Sequence, residues 1–565
     1  GANPHDTGRT GDQFFVVGAY ENRNVRVNFG QKPFKFPPPD GFQPLNLSNT
    51  QPEKVIVRPD QYVGVSLWSG NGTSQTITGL EHKPDLVWLK KRSGGTARSH
   101  QLFDSVRGVH KSLHSDSNNG EDTNTGRLTA FNRNGFAVGG DDGSNGSGGE
   151  FVAWTWKAGG SKGTFNVDDV GYANASDVNM NVGGLNSSSY NTDQIWSGLF
   201  TVAAGTFDQA VSLAFNGNIQ AGSNRLRTSD NYVVITMSLS TPVNVSSQIK
   251  VYGGYDSTCT VTVGGTTYTS STGVIHTFNV SGSLTQMTHR GNSTSGRTYM
   301  EGMEIDGKQL VDSNQTPPNS PSVANTGCSV GTKQGFSIVA YNATGSDLTV
   351  NHGLSERPGF IILKSKNVSG DWLVWHQNLA GVDRFMKLNE TQAQAQASNV
   401  FLSVDSNTFG TGNDAGINSS NQQKIAYIWH DVPGLQKFGT YTGSGSGDGP
   451  FVELGFQPAI IWMKDITNGS NRHWCVVDST RSTFNKGASA EVLFFDSNQI
   501  ESRPDDGFGQ FGSKPCVDIL SNGFKLRESN TSGVWTQVNN THTYIYCAWA
   551  EAPSINLYGA QSNAR

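Results

Sequence analysis

One pattern recurs three times in the 565 residues and constrains the fold more than any other feature of the sequence. Pro84-Asp85-Leu86-Val87-Trp88-Leu89-Lys90, Pro358-Gly359-Phe360-Ile361-Ile362-Leu363-Lys364 and Pro458-Ala459-Ile460-Ile461-Trp462-Met463-Lys464 each read proline, a small or polar residue, four apolar residues, lysine. Proline opens a strand at no cost in ladder bonds, because its missing N–H falls outside the sheet. An unbroken apolar run of this length is a strand buried on both faces, and lysine is expected to carry the chain out to solvent. Each copy also has a matching end: Val152-Ala153-Trp154-Thr155-Trp156, Ile425-Ala426-Tyr427-Ile428-Trp429 and Ile545-Tyr546-Cys547-Ala548-Trp549. The strand period of two puts the first β-branched residue and the final Trp on one face.

Proline and Trp are separated by 72, 71 and 91 residues in the three copies. Between them lies a turn followed by a strand, at Asn134-Gly135-Phe136, Asn407-Thr408-Phe409 and Asn522-Gly523-Phe524. A strand precedes each heptapeptide, at Val63 to Trp68, Phe336 to Tyr341 and Phe438 to Tyr441. A unit of about 100 residues with many short strands and no helical period reads as an antiparallel β-sandwich. The expected fold is therefore all-β: tandem antiparallel sandwich modules of jelly-roll or concanavalin-like type, three of them related repeats. Trp156, Trp429 and Trp549 are expected in equivalent buried positions at the centre of each. Composition agrees, with 68 glycines and only 15% charged residues, which suits short strands and tight turns better than long helices.

The repeats divide the chain into 1–55, an N-terminal arm; 56–160, repeat 1; 161–322, an unrelated sandwich; 323–436, repeat 2; and 437–565, repeat 3. In the unrelated segment, alternating runs at Tyr232 to Leu239, Gln248 to Tyr252 and Cys259 to Val263 read as strands. Gly264-Gly265 turns the chain into Thr266 to Thr269, and Asp306-Gly307 joins two further short strands. Trp196 marks a strand start, and the proline-rich stretch Asn314 to Pro321 reads as a linker. In the arm, Asn24 to Phe29 is a lone strand that must pair outside its own segment. The chain has neither an initiator Met nor a signal peptide, so Gly1 reads as the start of a processed chain or fragment.

Charge excludes several classes of partner. The net charge of −5 is scattered singly, with no basic stripe for nucleic acid or anionic membrane. No apolar run reaches the roughly 18 residues of a membrane helix. The five cysteines, Cys259, Cys328, Cys475, Cys516 and Cys547, are far apart and show no metal spacing, so they read as buried free thiols. Sequons such as Asn71-Gly72-Thr73 are expected by chance in so Asn- and Ser-rich a chain.

Catalytic motifs each require a particular structural setting. Nucleophile elbows and phosphate loops need a strand–turn–helix context that the sequence lacks. The 12 histidines show no metal spacing. Two carboxylates converging from distant strands to cleave a glycan remain open to a sequence of this kind. Asp141-x-Gly143-x-Asn145 and Asp414-x-Gly416-x-Asn418 follow Phe136 and Phe409 by five residues. Such oxygen-rich turns hold Ca²⁺ in some proteins and cap their own backbone in others; the second reading is the expectation. The third repeat has Arg527-Glu528-Ser529-Asn530 at the corresponding place. No catalytic residue, cofactor-binding residue or metal ligand is assigned, and no cofactor is expected.

Several of these motifs carry a resemblance. Val25 to Leu45, with Asn-Phe-Gly, Pro-Phe and Gly-Phe-x-Pro-Leu, resembles the C-terminal end of a SPRY (concanavalin-like) domain of marine bacteriophage (cyanophage- or pelagiphage-like) virion proteins. The strands a complete SPRY domain has before Val25 are missing. Phe103-Asp104-Ser105-Val106-Arg107-Gly108, Asp141 to Asn145 and Val152 to Gly159 are similar to a module that follows that domain in the same proteins. The third repeat keeps the Asp-Ser-x-Arg element as Asp478-Ser479-Thr480-Arg481, and the second lacks it. Ile305 to Asp312 and Tyr546 to Pro553 resemble closing elements of phage fibre proteins. The resemblance implies a non-enzymatic structural protein on the virion surface, a tail fibre or receptor-binding appendage. Its implied partners are other virion proteins, host surface polysaccharide and copies of itself, as a trimer by analogy. A capsid-decorating or head-fibre protein, a polysaccharide-degrading tailspike and a secreted eukaryotic adhesin are the alternatives.

Overall fold

Each apolar heptapeptide becomes an inner strand of a run of four antiparallel strands, in the same order in all three repeats. The run is the whole sheet in the first repeat and part of a nine-stranded and a five-stranded sheet in the second and third. In the first, Val63–Ser69, Glu150–Trp156, Leu86–Ser93 and Gln101–Asp104 lie side by side in that order. In the second the order is Phe336–Asn342, Gln423–Trp429, Phe360–Ser365, Leu373–His376. In the third it is Gln436–Thr442, Thr543–Ala550, Pro458–Asp465, Cys475–Asp478. Register is also shared. Trp156 stands opposite Val63 and Leu86, Trp429 opposite Phe336 and Phe360, and Trp549 opposite Gln436 and Ile460. A three-stranded sheet packs on one face of each, built in the first module from Gln75–Thr78, Gly135–Val138 and Leu128–Asn132. The protein is therefore all-β, made of antiparallel sandwiches of which three are related repeats. The computed structural model describes residues 55–565 except 179–188, 191–193, 218, 220–224, 295, 314, 316–320, 355, 469–471, 482–491, 502–516, 528–536, 556–560 and 563–565.

Alternation along the inner strands explains why they are apolar throughout. Val87, Leu89 and Ala153 point into the first module's own core, with Ile77 and Phe136 of its outer sheet. Leu86, Trp88, Trp154 and Trp156 point the other way, into a core shared with Phe360, Tyr427 and Trp429 of the second module and Trp462, Cys547 and Trp549 of the third. The expected Trp positions are thus buried and equivalent, but they lie where three sandwiches meet rather than inside each one. Trp156, Trp429 and Trp549 form a triangle with ring centroids 6.2, 5.4 and 6.0 Å apart and interplanar angles of 68–71°. Edge-to-face packing is the favoured arrangement of aromatic quadrupoles.

The contacts between modules follow the same cyclic order. Lys90 Nζ donates to the carbonyls of Arg98 (2.6 Å) and, in the third module, Asn498 (3.0 Å). Lys364 Nζ reaches Asn118 O of the first module (2.8 Å), and Lys464 Nζ reaches Thr391 O of the second (2.7 Å). These lysines do not leave for solvent as the sequence suggested; all three are buried. The run ends at a module interface, where neighbouring loop carbonyls take up the ammonium hydrogens in place of water. Burial nevertheless pulls each ammonium down to about 8. The next layer repeats the cycle: His100 bonds Phe494 O, Trp372 Nε1 donates to His114 O, and Trp474 Nε1 donates to Lys387 O.

The segment between the first two repeats makes a sandwich with its own core, including Trp196, Phe215, Met237, Val261 and Met287. Both local hairpins form where the turn residues place them. Val263 pairs with Thr266 across Gly264 and Gly265 (φ 58° and 81°), and Ile305 pairs with Lys308 across Asp306 and Gly307 (φ 53° and 75°). Positive φ at both central residues gives the turn twist that matches the strands. The strand expected from Tyr232 starts only at Ile235, because Tyr232 is held at φ 57°. Phe165–Val167 before this module and Asn325–Gly331 after it pair in parallel, joining the second repeat's sheet. The module is clasped at its neck, where Asp312 accepts from Ser197 N (2.9 Å) and Ser197 Oγ (2.6 Å).

Cys259, Cys328, Cys475 and Cys547 are buried free thiols, and Cys516 lies outside the described residues. The N-terminal arm with its strand at Asn24 to Phe29, and all but Gln315 and Pro321 of the proline-rich linker, also lie outside them. Among the described residues no helix is long and apolar enough to cross a membrane.

Candidate functional site

The Asp-x-Gly-x-Asn elements prove to be backbone clamps. Asp141 caps a single helical turn, Asp142–Asn145, by accepting from Gly143 N at 2.9 Å; Asp414 does the same with Gly416 N at 2.8 Å. The Asn then ties the turn to the loop after the opening strand. Asn145 Nδ2 donates to Thr73 O and Asn71 Oδ1, and Asn418 Nδ2 donates to Gly412 O and Ser346 O. The third module has the same clamp in Asn539, whose amide bonds Ser446 O (2.7 Å) and Ser444 N (2.9 Å). Asn539 thus makes the contacts of Asn145 and Asn418, whereas Glu528 to Asn530 of the stretch the sequence pointed to lie outside the described residues. Asn539 follows Phe524 by 15 residues, against nine from Phe136 to Asn145 and from Phe409 to Asn418, yet it meets the equivalent loop. Among the described residues no group of three or more His, Cys, Asp or Glu side chains could hold a metal ion.

The Asp-Ser-x-Arg elements join modules. Asp104 accepts from Arg107 Nε (2.5 Å) and from Tyr427 OH of the second module (2.7 Å). Asp478 accepts from Arg481 Nε (2.5 Å) and from Trp154 Nε1 of the first (3.0 Å). The second module has His376 in that place, facing Tyr546 O of the third at 3.3 Å. Tyr427 and Trp154 each lie two residues before the core Trp, where the third module has Cys547. A thiol there needs no strong acceptor, so the missing Asp-Ser-x-Arg has a physical reason.

The surface clefts among the described residues include one on the first module and one on the inserted module. The first is about 450 Å³. Its charges are already engaged: Asp142 contacts Lys91 (2.9 Å) and Arg98 (2.6 Å), and Asp122 contacts Arg127 (2.7 Å) and His114 (3.3 Å). Hydrogen bonds from Lys91 and Arg98 hold the Asp142 carboxyl below its ordinary range. Burial opposes ionisation of Asp122, but bonds from Ser112 and Arg127 outweigh it. Carboxylates held ionised by cations are poor general acids.

The second cleft, about 510 Å³, is on the inserted module and is lined by Tyr255, Asp256, Asn292, Arg297 and Tyr299 with Gly291 and Gly296. The Tyr255 and Tyr299 ring centroids are 4.9 Å apart at 57°. Arg225 braces both, its guanidinium 4.8 and 4.4 Å from the two centroids and its side chain only 15% exposed. Tyr255 itself is 53% exposed. Asp256 accepts from Gly273 N (2.8 Å) and Asn292 Nδ2 (3.1 Å), and the bond from Asn292 is the main reason its carboxyl lies below the ordinary range. Beneath this turn, Ser257 Oγ contacts His276 Nε2 (2.9 Å) together with the carbonyls of Tyr255 and Gly273 (3.0 Å each). Ser257 and His276 are buried, so this Ser–His pair supports the turn and presents no nucleophile at the surface. Sequence reasoning missed this site, because Arg225, Tyr255 and Tyr299 are far apart in the chain and belong to no motif.

No curated protein matches the chain. Among solved structures, truncated AlyQ with CBM32 and alginate lyase domains aligns at 8% identity and a TM-score of 0.13, over 62% of this chain and 95% of that one; a likeness so low carries no argument. A family model described as "Domain of unknown function (DUF7483)" matches residues 58–195 and 241–553, which together span all three repeats and most of the inserted module. The chain belongs to the DUF7483 family.

Proposed function

We propose that this protein is a structural component of a bacteriophage particle, a tail fibre or receptor-binding appendage that contacts host surface glycans or neighbouring virion proteins without catalysis. The observation that carries the reading is the rigid three-module block. Its modules are locked by one shared apolar core and by interface bonds in cyclic order, with a fourth module displayed from it by a clasped neck. Such a block keeps its shape without a cofactor, and presenting a binding module on a stiff support suits adhesion. The resemblance of the Val25 to Leu45, Phe103 to Gly108 and Tyr546 to Pro553 motifs to phage fibre proteins supports the same reading. Assembly as a homotrimer belongs to it by analogy. Because the inner faces of the repeats are already buried against one another, the contacts between chains lie on other surfaces.

Immunogold electron microscopy of purified particles tests the proposal. Labelling of an appendage at low copy number is the expected result. A copy number matching the capsid lattice replaces it with capsid decoration, and reducing-end release from host polysaccharide by the purified chain overturns the non-enzymatic reading.

A further inference from the structure

We infer that the cleft of the inserted module is a binding subsite for a neutral pyranose unit of a glycan, stacked on Tyr255. The inference rests on the glycan-contacting reading above and names the place and the ligand class. Tyr255 is a large aromatic side chain more than half exposed. Arg225 and Tyr299 hold its ring at a fixed angle, so little side-chain entropy is lost when a ligand packs against it. The negative face of an aromatic ring suits the C–H face of a sugar. Beside the ring, the Asp256 carboxylate is fixed by Asn292 and Gly273 N and keeps further acceptor capacity for sugar hydroxyls. Gly291 and Gly296 line the cleft without side chains. Its volume falls within the range of roughly 300–1,000 Å³ typical of ligand sites.

Charge selects a neutral sugar. An acidic sugar would bring its carboxylate toward exposed Asp256, while the arginines around the cleft already face carboxylates or aromatic rings. Arg297 and Arg227 share Asp208, and Arg225 is held against the two rings, 3.9 Å from Glu301.

The test is saturation-transfer NMR on the full chain, with D-galactose, D-glucose and D-glucuronate at millimolar concentration. The expected result is transfer to the ring C–H protons of at least one neutral hexose, with glucuronate at least tenfold weaker. Tyr255→Ala should abolish the transfer and Tyr255→Phe should keep it, whereas Tyr268→Ala, at an exposed tyrosine outside the cleft, should leave it unchanged. An unchanged thermal melt for Tyr255→Ala shows that the module is still folded; if its melt is lowered, Asp256→Ala serves as the second variant. Transfer from neither hexose, equal transfer in a folded cleft variant, or preference for glucuronate overturns the inference. Particle labelling is independent of these outcomes, so failure of the subsite and failure of the appendage reading are distinguishable.

Discussion

Trp429 sits in the shared core fully buried, and its indole N–H has no hydrogen-bond partner among the described residues; the same holds for Trp156 and Trp549. The three rings pack edge to face, and a π face is at best a weak substitute for a true acceptor. Trp429→Ala should therefore cost about 3–5 kcal/mol, from the cavity it leaves between three modules. Trp429→Phe should cost clearly less, since it keeps most of the ring and removes the orphaned donor. Urea denaturation of the two variants measures both, and equal losses would contradict the packing account. The Asn clamps make a second prediction at this scale. Asn539→Ala removes bonds to Ser446 O and Ser444 N and should destabilise by about 1–3 kcal/mol, close to the effect of Asn418→Ala, although no sequence motif marks Asn539. Sequence showed the first two clamps through their spacing and missed the third, because loop length shifts a residue along the chain while its partners stay fixed in space.

At the scale of strands and their interfaces, buried histidines govern the response to acid. His82, His289, His352 and His376 are buried, and burial lowers the first two to about 4 and the last two to about 3. The unfolded chain takes up protons near pH 6.5 while the folded chain does not. The stability these groups contribute is therefore present above that pH and lost progressively as pH falls from about 6.5 toward 4. Each costs on the order of 2 kcal/mol at pH 5. Their sum is comparable with the roughly 5–15 kcal/mol by which proteins are stable. Denaturant midpoints measured from pH 7 to pH 4.5 should fall steeply, and less steeply in a His352→Gln variant. A flat profile would show that these rings are not buried and neutral. None of this was legible from 12 scattered histidines, since burial and the carbonyls they face come from packing.

At the scale of the whole molecule, the inserted module and the three-repeat block are built as separable parts. The module has its own core and a neck closed by Ser197 and Asp312, and the strands flanking it pair in parallel outside that neck. Replacing residues 189–313 with a flexible Gly/Ser linker of about ten residues should leave the block folded, with its tryptophan emission and cooperative unfolding intact. Loss of cooperative unfolding in this variant would mean that the module supports the shared core. The same deletion removes the Tyr255 cleft, so it also supplies a folded chain without the proposed sugar subsite.

The sequence alone determined the class of fold, the number of related repeats and the local hairpins, because these depend on short-range physics. Period-two alternation marks strands, and Gly264-Gly265 and Asp306-Gly307 supply the positive φ their turns need. Only the tertiary structure decided what the apolar runs are for. A strand apolar on both faces tells of two burials but not of which partner covers which face, so the meeting of three sandwiches around Trp156, Trp429 and Trp549 was hidden. The fate of Lys90, Lys364 and Lys464 was hidden for the same reason. A lysine after an apolar run points to water unless another part of the chain brings carbonyls to it, and those carbonyls come from loops of a different module.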